Sequence, residues 1–190
     1  DLTYNGLDDI ESANVLRELI RCNKTITSLS LASNAFGRNA AAVRSIADGV
    51  RSNTTLQQLD LSTGELDDQD ISVLTNALAI RNACPLELHL RNNEITSVGV
   101  HALVDDNVEA VKTLTKLFLS GNFVESEGAT ILADALGRNA MPCLRELDLG
   151  LCYIDDDGFV ALVSALEQNT SLQILDLQGN HFGERVYMAL

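Results

Sequence analysis

The chain has 190 residues, 46% of them hydrophobic, and a formal net charge of −14. That length supports one domain with a sizeable core, and 4% aromatic content with no Trp leaves aliphatic side chains to fill it. The negative charge repels nucleic-acid phosphates and acidic lipid, and no apolar run approaches the ~18–20 residues of a membrane span, so neither nucleic acid nor membrane is an expected partner.

In chain order, "LTYNGL" (2–7) opens the sequence as the tail of a phrase that then recurs in full. "ITSLSLASNAF" carries it around Leu31, "LQQLDLSTGEL" around Leu61 and "PLELHLRNNEI" around Leu90. "LTKLFLSGNFV" follows at Leu119, "LRELDLGLCYI" at Leu149 and "LQILDLQGNHF" at Leu177. From Leu2 onward these leucines are 29, 30, 29, 29, 30 and 28 residues apart. A period this constant marks a repeat protein.

Each phrase alternates leucine with other residues, which predicts a short strand with leucines on one face. A turn follows, holding Asn5, Asn34, Asn93, Asn122 and Asn180 in one column, where Gly64 and Cys152 replace Asn. An Asn side chain serves turn backbone groups that lack strand partners, so the Cys152 turn is expected to be held less firmly. Then the apolar spacing lengthens to three and four residues. Ala129, Leu132, Ala133 and Leu136 show it in 124–139, and Phe159, Leu162, Val163 and Leu166 in 154–169, which predicts helices. Gly99, Gly128 and Gly158 share a column near the helix start, where a missing Cβ is expected to let the helix approach the strand layer. Asp67, Asp68, Glu125, Asp155 and Asp156 crowd the same end and suit helix capping. Asn23, Asn53, Asn82, Asn139 and Asn169 mark the helix ends, an expected left-handed position.

One strand and one helix cannot bury both apolar faces, but stacked copies can. Helices are about 10 Å wide and strands about 4.8 Å apart, so the stack must curve with its strands inside. The pattern LxxLxLxxN, then GxxxLxxAL and NxxL, resembles the leucine-rich repeat of the ribonuclease-inhibitor type over essentially the whole chain. The resemblance implies an α/β fold, a right-handed curved β/α solenoid with parallel strands on the concave face and helices on the convex face. It implies protein recognition on the concave wall and rim, without catalysis. Residues 1–190 read as one domain of about six repeats of 28–30 residues with partial repeats at the ends. The missing initial Met and the lack of polar capping units point to a piece of a longer chain.

Two clusters stand out among the strand and turn columns. Phe118 is expected to stand exposed on the concave wall as an anchor, and Phe123, Tyr153 and His181 to form an aromatic rim, with Leu151 and Tyr4 in an adjacent column. Glu146, Asp148 and Asp176 form an acidic half of the wall, while His89, Arg91 and Lys116 sit near its middle. A protein partner with a basic patch fits this distribution.

Other chemistry finds little footing. "DDD" (155–157), with Asp67, Asp68 and Glu125, lacks EF-hand spacing and reads as caps. His89, His101 and His181 occupy different places within the repeat, so no zinc site is expected. Cys84 and Cys143 share a column two repeats apart, about 10 Å, beyond disulfide reach. Cys152 has no basic neighbour in its repeat and reads as structural; the cysteines together suit a reducing cytoplasmic setting. The sequons at Asn23, Asn53 and Asn169 fall in a repeat column, and the repeat explains them. The expectation is a non-enzymatic protein-binding module, without cofactor, metal or small-molecule substrate, serving as the sensing or regulatory part of a larger protein. The alternatives are a GTPase-activating protein resembling the Ran regulator and an actin-capping domain resembling tropomodulin.

Overall fold

The structure, a computed structural model, describes residues 1–80, 86–105, 112–183 and 186. Asn82 and Cys84 lie outside the described residues. Helices and strands alternate: α1 (Ile10–Cys22), β1 (Ser28–Ser30), α2 (Ala40–Ser52), β2 (Gln58–Asp60), α3 (Asp68–Ile80), β3 (Leu86–His89). Then come α4 (Ser97–Val104), β4 (Leu114–Phe118), α5 (Glu125–Gly137), β5 (Glu146–Asp148), α6 (Asp156–Leu166) and β6 (Ile174–Asp176). The six strands form one parallel sheet in sequence order. Its register is the leucine column itself: Leu29, Leu59, Leu88, Leu117, Leu147 and Leu175 are successive partners. The fold is the expected α/β solenoid.

The leucines behave as the alternation predicts. Leu59, Leu88, Leu117 and Leu147 are fully buried, as are Leu90, Leu119 and Leu149, and they meet Ile71, Leu103, Leu132 and Leu162 of the helices in a single core. Leu175 and Leu177 of the last repeat are partly buried against it. Burying such side chains stabilises the fold by roughly 1.5–3 kcal/mol each.

Asparagine sews the turns together. The Oδ1 of Asn122 accepts from the Asn93 and Ile95 N–H groups of the preceding repeat, both at 3.2 Å. Its Nδ2 donates to the Leu90 and Leu119 carbonyls, at 2.9 and 2.6 Å. Asn34, Asn93 and Asn180 repeat the arrangement. Where Cys152 stands instead, its thiol donates to the Leu119 carbonyl at 3.3 Å. Burial pushes the Cys152 pKa up to about 11.

Two columns work differently from the expectation. At the helix ends, Asn23 and Asn53 are extended, with φ of −73° and −84°. Their Oδ1 atoms accept from the backbone N–H groups two and three residues on, as does that of Asn169. Among these residues only Asn139 is left-handed, with φ of 56°. Side-chain hydrogen bonding, not backbone conformation, selects Asn here. The glycine column answers both to its own repeat, where a Cβ on Gly158 would lie 2.7 Å from Ile154 Cγ2, and to the neighbouring repeat. A Cβ on Gly158 would lie 3.0 Å from the Ser126 Cα at the start of α5.

Most of the acidic residues at the helix starts are caps, some of them across repeats, but Glu125 is not: α5 begins without a side-chain cap. Asp155 accepts from the Asp157 and Gly158 N–H groups and from the Ser126 hydroxyl. Asp68 accepts from the Thr96 and Gly99 N–H groups of the next repeat, at 2.8 and 2.9 Å. Asp67 and Asp70 cap each other's backbone N–H groups at the start of α3. Asp70 is 5% exposed, and burial pushes its carboxyl from the usual 3.8 to about 6.

Candidate functional site

The wall formed by the outward strand positions is more self-contained than the sequence suggests. Phe118 is 6% exposed, not the free anchor expected. The His89 ring, its partner in the register, stacks on it with centroids 4.3 Å apart. The Arg91 guanidinium lies over the ring at 4.1 Å. A Phe side chain standing out of a parallel sheet lies within reach of long residues of the neighbouring repeat, and here two from the preceding repeat cover it.

Arg91 is fixed by more than the ring. Its Nε donates to Asp148 Oδ2 at 2.9 Å and to the Ser120 hydroxyl at 3.2 Å. A second guanidinium nitrogen reaches the same carboxylate oxygen at 2.8 Å. Lys116 forms the other bridge, 3.1 Å from Glu87 and 3.7 Å from Glu146. Hydrogen bonding to Glu87 raises the Lys116 pKa. Burial pushes the His89 pKa down, against the pull of Asp60. Of the three expected acidic residues, Asp148 and Glu146 are therefore paired, and Asp176 alone is exposed and without an ion pair among the described residues. The strand-end carboxylates also serve their own turns, since Asp60, Asp148 and Asp176 each accept from the N–H two residues on. The acidic half of the wall is thus largely neutralised or occupied by turns.

The rim differs. Beyond the strands the ladder continues through the turns, with Leu151 N–H donating to the Gln178 carbonyl and His181 N–H to that of Ile154, both at 2.8 Å. This brings the next column together as expected. Phe123 and Tyr153 stack almost parallel, centroids 5.7 Å apart and planes 9° apart. Tyr153 meets His181 edge-on at 5.4 Å and 79°. The two larger rings stay open, with Phe123 46% and Tyr153 50% exposed, and Leu151 beside them 61% exposed.

Backbone conformation supplies a signal that sequence reading missed. Leu151 and Tyr153 are both left-handed, with φ of 53° and 61°. In the Leu151 column, Gly121 and Gly179 occupy the same region at 73° and 72°. A leucine there carries a conformation that costs a bulky L-residue roughly 1–2 kcal/mol. The Gly179 position accommodates it, since a Cβ on Gly179 would lie 2.5 Å from Leu151 Cδ2.

Among the described residues no group of three or more His, Cys, Asp or Glu side chains is placed to hold a metal ion. His101 lies on α4, beside a groove of about 500 Å³ between α4 and α5, away from the elements that carry His89 and His181. No described helix is long and apolar enough to cross a membrane.

The Leucine Rich repeat family matches residues 52–74, 84–104, 140–163 and 168–184. Pig (Sus scrofa) ribonuclease inhibitor is 29% identical over 188 residues, covering 97% of this chain and 40% of the inhibitor. The chain is a leucine-rich repeat protein of the ribonuclease-inhibitor type. Mouse (Mus musculus) NACHT, LRR and PYD domains-containing protein 12 is 31% identical over 147 residues, 77% of this repeat protein and 14% of the relative. The chain spans less than half the length of these curated relatives. Among solved structures, the tropomodulin C-terminal domain of Caenorhabditis elegans superposes with a TM-score of 0.63 at 13% identity, covering 95% of this chain and 97% of that domain. That likeness concerns the fold. Leucine-rich repeats of this kind are protein-interaction modules.

Proposed function

We propose that this repeat protein binds a protein partner through the rim formed by Phe123, Leu151, Tyr153 and His181. The observation that carries the reading is the open aromatic ladder across three successive repeats, in a chain with few aromatic residues. Rigid, half-exposed rings give large contact area at low entropic cost, and such residues dominate interface energetics. The concave residues His89, Arg91 and Phe118 hold one another, and Lys116 is held by Glu87 and Glu146. In this reading they stiffen the wall behind the rim, and Glu146, Asp148 and Asp176 tune the approach of the partner more than its affinity.

The test is affinity capture from native lysate. Wild type is compared with a Leu151→Ser/Tyr153→Ala double variant and with Val163→Ala on the helix side. A protein retained by wild type and Val163→Ala but lost from the rim variant supports the reading. Equal retention by all three overturns it.

A further inference from the structure

The concave wall and the rim are built from the same chemical parts, with one part missing from the rim. On the wall, the Phe118 ring is covered by the Arg91 guanidinium at 4.1 Å, and Asp148 holds that guanidinium from behind at 2.8 Å. Ring, cation and carboxylate all come from this chain. On the rim there are rings, Phe123 and Tyr153, and there are carboxylates. The exposed positions two residues after these rings are Glu125 and Asp155, and Glu94 precedes Phe123 in the ring column. The turns and helix starts that carry the rim hold no cation: residues 92–111, 117–137 and 146–183 contain no Lys or Arg. Glu94 and Glu125 form no ion pair among the described residues.

From this contrast we infer that the rim takes a partner segment presenting an Arg or Lys side chain beside an apolar residue. This rests on the rim being the binding surface. The cation of the partner lies against the Phe123–Tyr153 rings with the Glu125 side flanking it, and its apolar neighbour packs on Leu151. Several features favour this occupant over a purely apolar one. A half-exposed aromatic face attracts a guanidinium or ammonium, most strongly where water is displaced. The net charge of −14 adds a long-range attraction for a basic segment and repels acidic ones. A second copy of this chain is a poor occupant for the same reason, since each rim would bring carboxylates to carboxylates.

The test uses defined peptides and the whole 190-residue chain. Acetylated, amidated Gly-Leu-Arg-Leu-Arg-Gly is titrated by NMR. Its counterpart with citrulline for arginine, neutral and almost isosteric, is titrated beside it. The expected result is that the arginine peptide shifts the Phe123 and Tyr153 ring signals, that citrulline weakens binding at least about tenfold, and that Tyr153→Ala does the same. Glu125→Gln weakens the arginine peptide several-fold while leaving the urea midpoint unchanged. Equal binding of both peptides at the rim overturns the cation requirement and leaves the rim as an apolar binding surface. Binding of the arginine peptide that ignores Tyr153→Ala also overturns it, as diffuse charge attraction elsewhere. So does concentration-dependent dimerisation that Tyr153→Ala abolishes, with no peptide effect on the ring signals. The lysate capture tests the rim independently, so a partner retained through Tyr153 with no preference for the arginine peptide separates the two failures.

Discussion

Arg91 and Asp148 lie 57 residues apart in sequence and 2.8 Å apart in space, with the Phe118 ring beneath the guanidinium. The Asp148 side chain is 11% exposed, so the pair is shielded on one side. Removing one member of a shielded pair leaves the other charge desolvated and unpaired. Arg91→Ala is therefore expected to cost about 1–3 kcal/mol in urea unfolding and to expose Phe118. Arg91→Lys should recover only part of the loss, because an ammonium cannot both cover the ring and donate in a fork. A full recovery by Lys would mean that charge alone holds the wall together.

How far the sequence foretold this varies with the physics involved. The leucine period alone fixes the register, so the Leu29–Leu59–Leu88–Leu117–Leu147 ladder and the meeting of Phe123, Tyr153 and His181 are legible without coordinates. Neighbouring columns must touch when strands lie about 4.8 Å apart. The burial of Phe118 is not legible in the same way. It depends on the rotamers of His89 and Arg91, and on Asp148 pulling Arg91 across two repeats. The Asn residues at the helix ends form the expected column but work by a different mechanism. Asn serves left-handed caps and side-chain turns equally well, and only φ separates them.

Asp70 gives a pH dependence of unusual sign. Burial lifts its folded-state pKa from 3.8 to about 6, above the value in the unfolded chain. The unfolded chain therefore gives up this proton first as pH rises. The stability associated with protonated Asp70 is present below about pH 4 and is lost between there and pH 6. The displacement corresponds to at most roughly 3 kcal/mol. Asp70→Asn keeps an oxygen for the Asp67 N–H and carries no charge. It is expected to raise the urea midpoint at about pH 7.5 by an amount worth about 1–3 kcal/mol, with the gain over wild type vanishing below about pH 4. A gain that persists undiminished at low pH would assign the effect to packing instead.

Cys152 interrupts the asparagine ladder with a group that hydrogen-bonds poorly. The thiol is fully buried, with its pKa pushed up to about 11, so little thiolate forms at neutral pH. Maleimide labelling of the native protein should mark exposed Cys22 quickly and leave Cys152 unmodified until urea is added. Cys152→Asn should restore the bonds that Asn122 makes to its neighbouring repeat. A gain of about 0.5–2 kcal/mol in urea unfolding is expected. A loss would indicate that the space around the sulfur cannot take an amide.

Leu151 and Leu149 separate an exposed leucine from a core leucine within one turn. Its backbone sits in the left-handed region at φ 53°, where the flanking repeats place glycine, and its side chain is 61% exposed. Leu149, two residues earlier, is fully buried in the core. Leu149→Ala should cost roughly 2–5 kcal/mol, the usual effect of a core cavity. Leu151→Gly relieves the left-handed strain while adding freedom to the unfolded chain, and these effects oppose each other at about 1 kcal/mol each. Its urea midpoint should therefore stay at or slightly above that of wild type, while partner capture through the rim falls. Should Leu151→Gly unfold as readily as Leu149→Ala, the exposed leucine would be part of the scaffold and the rim would lose its apolar anchor.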